Sequence, residues 1–119
     1  MDDEDMVRDI VTEMLGYLGY EVLTAKDGSE AIDIYRQNLE DGRPVDVVLL
    51  DLTIPGGMGG KEAIKRLQEL DPQVKAIVSS GYSNDPVVAD YRSYGFSGVV
   101  NKPFRLNELA GMISGLIKR

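Results

Sequence analysis

Cysteine and histidine are both absent from the 119 residues of this chain. Without cysteine there are no disulfides, no thiolate metal sites and no thiol nucleophile. Without histidine there is no serine–histidine triad, none of the common zinc sites and no phosphohistidine on this chain. No apolar run approaches membrane-spanning length, and nothing resembles a signal peptide, so the default expectation is a cytoplasmic protein with no membrane contact. Internal repeats, low-complexity segments and linkers are also missing. Positive charge is in short supply: 13 basic residues face 20 acidic ones, a formal net charge of −7. An acidic surface repels phosphate backbones, which argues against nucleic-acid binding and favours cationic partners and metal ions.

What is present is ordinary globular composition, 43% hydrophobic and 28% charged, in a length that suits one domain with one core. Met6, Val7, Ile10, Val11, Met14, Leu15 and Leu18 recur at helical spacing and predict an amphipathic helix over about residues 5–17, ended by Gly16 and Gly19. Its acidic start, Asp2 to Asp5, suits the positive end of the helix dipole. Residues 20–25 (YEVLTA) read as a short strand. Asp27 with Glu30 makes a capping box, followed by a helix carrying Ala31, Ile32, Tyr35 and Leu39 and stopping near Gly42 and Pro44.

Residues 46–60 (DVVLLDLTIPGGMGG) are the stretch around which the chain is organised. Val47, Val48, Leu49 and Leu50 form a continuous apolar run, as in a strand buried on both faces, and Asp51 stands at its end before a Pro- and Gly-rich turn. A third helix carries Ala63, Ile64, Leu67 and Leu70, and a strand follows over residues 74–79. Ser80, Gly81, Tyr82, Ser83 and Asn84 form a loop, and Pro86 opens a fourth helix that Gly95 ends. Gly98, Val99 and Val100 make a last strand, stopped by Lys102 and Pro103. Leu106, Leu109, Met112, Ile113, Leu116 and Ile117 stripe a final helix, with Lys118 and Arg119 at the negative end of its dipole.

Strands alternating with helices predict a parallel sheet covered on both faces through right-handed crossovers. All strand C-terminal ends then share one edge, where such sheets bind ligands. Asp51, Ser80 and Lys102 each lie just past a strand end and can meet there. Taken singly, Asp51 also reads as a strand-ending turn residue, Ser80 as turn chemistry and Lys102 as a solvated lysine. Together with Asp2 and Asp3 and a hydroxyl from Ser80 or Thr53, they describe a site of hard oxygen donors suited to Mg²⁺ or Mn²⁺. Such a site could hold a phosphoryl group, with metal and ammonium neutralising its oxygens, and a carboxylate can itself be the nucleophile. A P-loop reading of Gly59, Gly60 and Lys61 fails, because Pro55 stands where the motif needs its first glycine and Glu62 where it needs Ser or Thr.

The acidic pair in DDED, the DVVLLDLTIPGGMGG segment, VSSGYS and NKPF, in this order and spacing over essentially the whole chain, resemble a receiver domain of a two-component response regulator. The DLTIPGGMGG form is most similar to receiver modules of hybrid histidine kinases. The resemblance implies a flavodoxin-like three-layer α/β sandwich, a five-stranded parallel sheet of order 2-1-3-4-5 with five helices, over a single domain of residues 1–119. It implies Asp51 as phosphoacceptor and Asp3, helped by Asp2 through water, as metal-binding carboxylates. The Thr53 backbone carbonyl would be a further metal ligand. Ser80 would be the hydroxyl that turns toward the phosphoryl group, with Gly81 beside it, and Lys102 the lysine that pairs with it. Pro103 would follow a cis peptide bond. The cofactor would be Mg²⁺ or Mn²⁺, the partner a histidine kinase or histidine phosphotransfer domain, and the only catalysis self-phosphorylation and self-dephosphorylation.

Two departures from that family pattern stand out. The family has an apolar strand directly before the acidic pair, and this chain starts at Met1. The expectation is therefore an N-terminally short domain whose sheet has a gap between the YEVLTA and DVVLLDL strands, open to strand donation or a dimer. The position three before the lysine, often Tyr or Phe in the family, is Val99. Two other readings compete: a pseudo-receiver that binds partners without turning over phosphate, and a haloacid-dehalogenase-like phosphohydrolase. The latter wants a second aspartate two positions after the first, where this chain has Thr53.

Overall fold

The computed structural model describes residues 1–81 and 85–117. Tyr82, Ser83 and Asn84 of the expected loop, and Lys118 and Arg119, lie outside the described residues. The strands are β1 (Val48–Asp51), β2 (Ala76–Ser80) and β3 (Gly98–Asn101). The helices are α1 (Asp5–Tyr17), α2 (Gly28–Glu40), α3 (Gly60–Leu70), α4 (Pro86–Ala89) and α5 (Leu106–Ile117), with a 3-10 helix at Tyr91–Tyr94.

The three strands form one parallel sheet in the order β1-β2-β3, with Leu50 beside Val78 and Asp51 beside Ser79. Alternation along each strand splits the core in two. Leu50, Ala76 and Val78 pack with Ala31, Ile32 and Tyr35 of α2 and Ala63, Ile64 and Leu67 of α3. Ile77 and Val100 face the other way, onto Leu109 and Ile113 of α5, with Met14 and Leu15 of α1 partly buried against them. This is the parallel sheet with helices on both faces that the alternating pattern predicts, in the three-layer, flavodoxin-like α/β form that the resemblance implies. Among the described residues no helix is long and apolar enough to cross a membrane.

Two expected elements differ. Residues 20–25 form no strand. Their pairing edge meets only the Met1–Asp2 stub, through a single bond from the Asp2 N–H to the Ala25 carbonyl at 3.1 Å. A strand needs a ladder partner, and here one rung is all there is. The stub itself lies against β1: the Met1 amine donates to the Leu49 carbonyl at 2.7 Å, and Asp51 N–H donates to the Met1 carbonyl at 3.0 Å. Those two bonds have the pattern of a parallel rung, so the order runs residues 20–25, stub, β1, β2, β3. The fourth helix is also shorter than its pattern: it ends at Ala89 and resumes as the 3-10 helix. Asp90 breaks it by leaving helical geometry and accepting the Ser93 hydroxyl at 2.8 Å, the local competition that makes Asp and Ser poor helix-interior residues.

Candidate functional site

Asp51 ends β1 with its side chain at the strand C-terminal edge, and only 5% of its surface is exposed. The neighbouring α3 can start so close because of its glycines. A Cβ on Gly59 would lie 2.4 Å from the Leu52 carbonyl oxygen, and one on Gly60 would lie 3.0 Å from that of Asp51. The Gly60 N–H instead donates to Leu52 O at 3.2 Å, tying the helix start to the turn after Asp51.

Lys102 follows β3 and enters the same edge; its N–H bonds the Ser80 carbonyl at 2.9 Å, and the Lys102–Pro103 bond is cis. Its Nζ donates to Asp51 Oδ2 at 3.1 Å and lies 2.7 Å from Asp2 Oδ2. The second contact is an ion pair without hydrogen-bond alignment, so Asp2 Oδ2 is a buried oxygen with no hydrogen-bond donor. Asp2 is held by its other polar atoms. Oδ1 accepts the Glu4 N–H at 3.0 Å at the start of α1, and its carbonyl accepts Arg8 Nη1 at 2.7 Å.

The electrostatics follow from this geometry. Burial raises the Asp51 pKa; the Lys102 hydrogen bond pulls it down, the Asp2 charge pushes it up, and the net position is above the usual carboxylate value. The Thr53 backbone also pulls it down. Burial alone would lower Lys102, but its close contacts with the Asp2 and Asp51 carboxylates outweigh it and hold the ammonium above its usual value. The Met1 ammonium is pushed down to about 6 by burial, against the opposing pull of Asp2 and Asp51.

Of the residues singled out from sequence, the structure brings Asp51, Asp2 and Lys102 into contact. Ser80 stands buried at the end of the adjacent strand. Thr53 is exposed in the turn just beyond Asp51, and Asp3 is exposed at the rim. Asp2, expected to help Asp3 through water, is the member of the acidic pair that sits inside. Asp2, Asp3 and Glu4 can bring one carboxylate oxygen each within 4.8 Å of one another. Glu4 was not singled out from sequence, although the unbroken DDED run carried the signal. The donor set fits a divalent cation: all hard oxygen ligands, no imidazole or thiolate, and one buried carboxylate oxygen lacking a hydrogen bond. A cation there would add the positive charge that two adjacent carboxylates and one ammonium leave wanting.

The family model that matches is the response regulator receiver domain, over residues 1–114. The chain is 31% identical over 109 residues to sporulation initiation phosphotransferase F of Bacillus subtilis, covering 92% of this chain and 83% of that protein. It is 32% identical over 119 residues to the sensor kinase CckA of Brucella abortus, covering the whole of this chain but 12% of the kinase. The chain thus spans nearly the length of the small relative and about an eighth of the large one. Its structure resembles CheY in the CheX–CheY–BeF₃–Mg²⁺ complex of Borrelia burgdorferi, with a TM-score of 0.88 at 24% identity, over 99% of this chain and 86% of that one.

Proposed function

The chain belongs to the response regulator receiver domain family, and from that premise we propose that Asp51 is the residue that accepts the phosphoryl group. A receiver of two-component signalling is a phosphoacceptor, and receivers hold Mg²⁺ at an acidic phosphorylation site. Asp51 carries the reading because its buried carboxylate ends β1, bonded to Lys102 Nζ at 3.1 Å, with the Asp2 carboxylate on the same ammonium.

In this reading one Asp51 oxygen forms a bond to phosphorus as the phosphorus–nitrogen bond of a donor phosphohistidine breaks. The electron pair of the broken bond returns to the donor imidazole. Lys102 Nζ, already on Asp51 Oδ2, stays with the transferred group and offsets its charge. Ser80 supplies a hydroxyl from the neighbouring strand end. Asp2, Asp3, Asp51 and the Thr53 carbonyl would hold Mg²⁺ or Mn²⁺, which supplies charge neutralisation of the phosphoryl oxygens when bound. Residues 1–119 are then one receiver domain, and the donor is a histidine kinase or histidine phosphotransfer domain. The likeness to a stretch of CckA favours a place within a hybrid histidine kinase. The site lies in the cytoplasm, and its acidic surface leaves nucleic acid to other parts of an assembly. Exchange of a strand between two copies is one way to close the sheet, and sedimentation of the chain at micromolar concentration distinguishes it from closure within one copy.

Phosphoramidate, a small donor with a phosphorus–nitrogen bond, tests the reading. Incubation with Mg²⁺ is expected to add one acid-stable, base-labile phosphoryl group per chain by intact mass. A folded protein that adds none under these conditions belongs to the pseudo-receiver alternative.

A further inference from the structure

The segment from Leu52 to Gly60 carries Thr53 between the end of β1 and the start of α3, and backbone hydrogen bonds fix it along its length. At its ends the Gly60 N–H donates to Leu52 O at 3.2 Å. Within it the Gly57 N–H donates to Ile54 O at 3.0 Å, closing a turn with Pro55 and Gly56 at its corners and a φ of 75° at Gly56. A further bond leaves the segment: the N–H of Gly28, the first residue of α2, donates to Met58 O at 2.8 Å. The start of a helix has N–H groups with no partner inside the helix. The Asp27 side chain takes that of Glu30 at 2.9 Å, and Met58 takes that of Gly28.

Gly28 is buried, and its φ lies outside the left-handed region. Close approach, and not backbone conformation, is what requires a glycine there. A Cβ on Gly28 would lie 2.8 Å from Met58 Cγ and 2.9 Å from both Met58 O and Sδ. Met58 is itself partly buried against the core that includes Leu50. Gly57 is seated beside Asp27: a Cβ on it would come 3.1 Å from Ile54 Cγ2 and 3.6 Å from Asp27 Cβ. Leu52 and Ile54 are buried on either side of Thr53, which is exposed. Thr53 thus stands outward on a segment that α2 supports from behind.

We propose that Gly28 and Met58 are positioning residues for the turn after Asp51: the start of α2 sets where the Thr53 carbonyl lies, and so how tightly the acidic site holds a divalent cation. The inference rests on the reading of Thr53 as a metal ligand given above, and it adds α2 to the elements that build the site. With Leu52 and Gly60 tied to each other, a push on Met58 is passed into the residues between them. Gly28 and Met58 act through that turn and not on the phosphoryl group.

Gly28→Ala tests this, with Tyr35→Phe, about two turns further along α2, as the control. Mg²⁺ binding is titrated by calorimetry, and amide chemical shifts are recorded on the Mg²⁺-free protein. Gly28→Ala is expected to weaken Mg²⁺ binding about tenfold, the size typical of disturbing a group that orients a metal ligand. It should also move the Leu52 and Thr53 amide resonances before any metal is added. Tyr35→Phe, which loosens α2 from Asp71, should leave both readouts unchanged. Met58→Ala keeps the carbonyl bond but removes the side chain seated on Gly28. It should weaken Mg²⁺ binding in the same direction, and it decides the matter if Gly28→Ala does not fold. Unchanged affinity in both variants, beside a parent chain that binds Mg²⁺, would overturn the proposal and leave the metal site standing. Equal weakening in Tyr35→Phe would overturn it as well, since lost stability would then account for the effect. A parent chain that binds no Mg²⁺ would overturn the reading of the site itself, and this proposal with it.

Discussion

Lys102 is shared between two carboxylates, and that sharing makes its removal informative. A cation arriving at Asp2 and Asp51 competes with this ammonium for the same Oδ2 atoms. Lys102→Met is therefore expected to bind Mg²⁺ tighter, by roughly tenfold from the lost charge repulsion. The same variant should accept a phosphoryl group at least about a hundredfold more slowly, because a preorganised donor to the developing charge is gone. Calorimetric titration and phosphorylation kinetics on one preparation read both, and parallel changes in the two would contradict the assigned role. The Met1 ammonium gives a second prediction at this scale. Its pKa falls from 8.0 to about 6 on folding, so between those values the unfolded chain binds more protons and stability rises with pH. Two units correspond to about 2–3 kcal/mol. No histidine titrates in this window. The raised Asp51 pKa contributes with the opposite sign, stability falling as pH climbs above the ordinary carboxylate value. Urea unfolding at pH 6 and 8 should show the rise, and an Nα-acetylated chain should lose it.

At the scale of elements, the contacts that set the site are backbone approaches and one latch. Gly59→Ala puts a Cβ against the Leu52 carbonyl, a backbone group that cannot swing aside, and should cost about 2–3 kcal/mol by chemical denaturation. Gly111→Ala on α5 is the counterpart: nothing lies within 4 Å of the new Cβ, and helix propensity alone should stabilise by about 0.5–1 kcal/mol. Tyr35 of α2 donates its hydroxyl to Asp71 Oδ2 at 2.7 Å, just past the end of α3, and burial with this bond lifts its pKa well above the ordinary phenol range. Tyr35→Phe should lose about 1 kcal/mol, read from the same denaturation curves. Helices 1, 2 and 3 were legible in the sequence because each carries an apolar stripe and a recognisable stop, and helix 5 because of its apolar stripe. The Asp27 cap was legible as well, accepting the Glu30 N–H at 2.9 Å, though Glu30 reaches back to the Lys26 N–H rather than to that of Asp27. Residues 20–25 misled because strand composition describes a segment's preference and not whether a partner is there to pair with it. The fourth helix misled because Asp90 and Ser93 can bond each other locally, which a periodicity count does not register.

For the molecule as a whole, the meeting of Asp51 and Lys102, 51 positions apart in sequence, was legible from topology. Alternating strands and helices put every strand end on one edge, so spacing along the chain hardly matters. Which of two adjacent aspartates turns inward was not legible, because it depends on Asp2 Oδ1 accepting the Glu4 N–H just ahead of α1. The ammonium of Met1 was equally invisible, since only the fold shows that it lies between β1 and residues 20–25. The account's central claim is that this edge carries a phosphoacceptor and that the acceptor is Asp51. The most direct measurement is to phosphorylate the chain with acetyl phosphate and Mg²⁺, reduce it with borohydride, and map the product by peptide mass spectrometry. An aspartyl phosphate reduces to homoserine, so the account predicts homoserine at position 51 and none in Asp51→Asn. Homoserine at another aspartate, or an unmodified position 51 in a folded and Mg²⁺-bound protein, would contradict it.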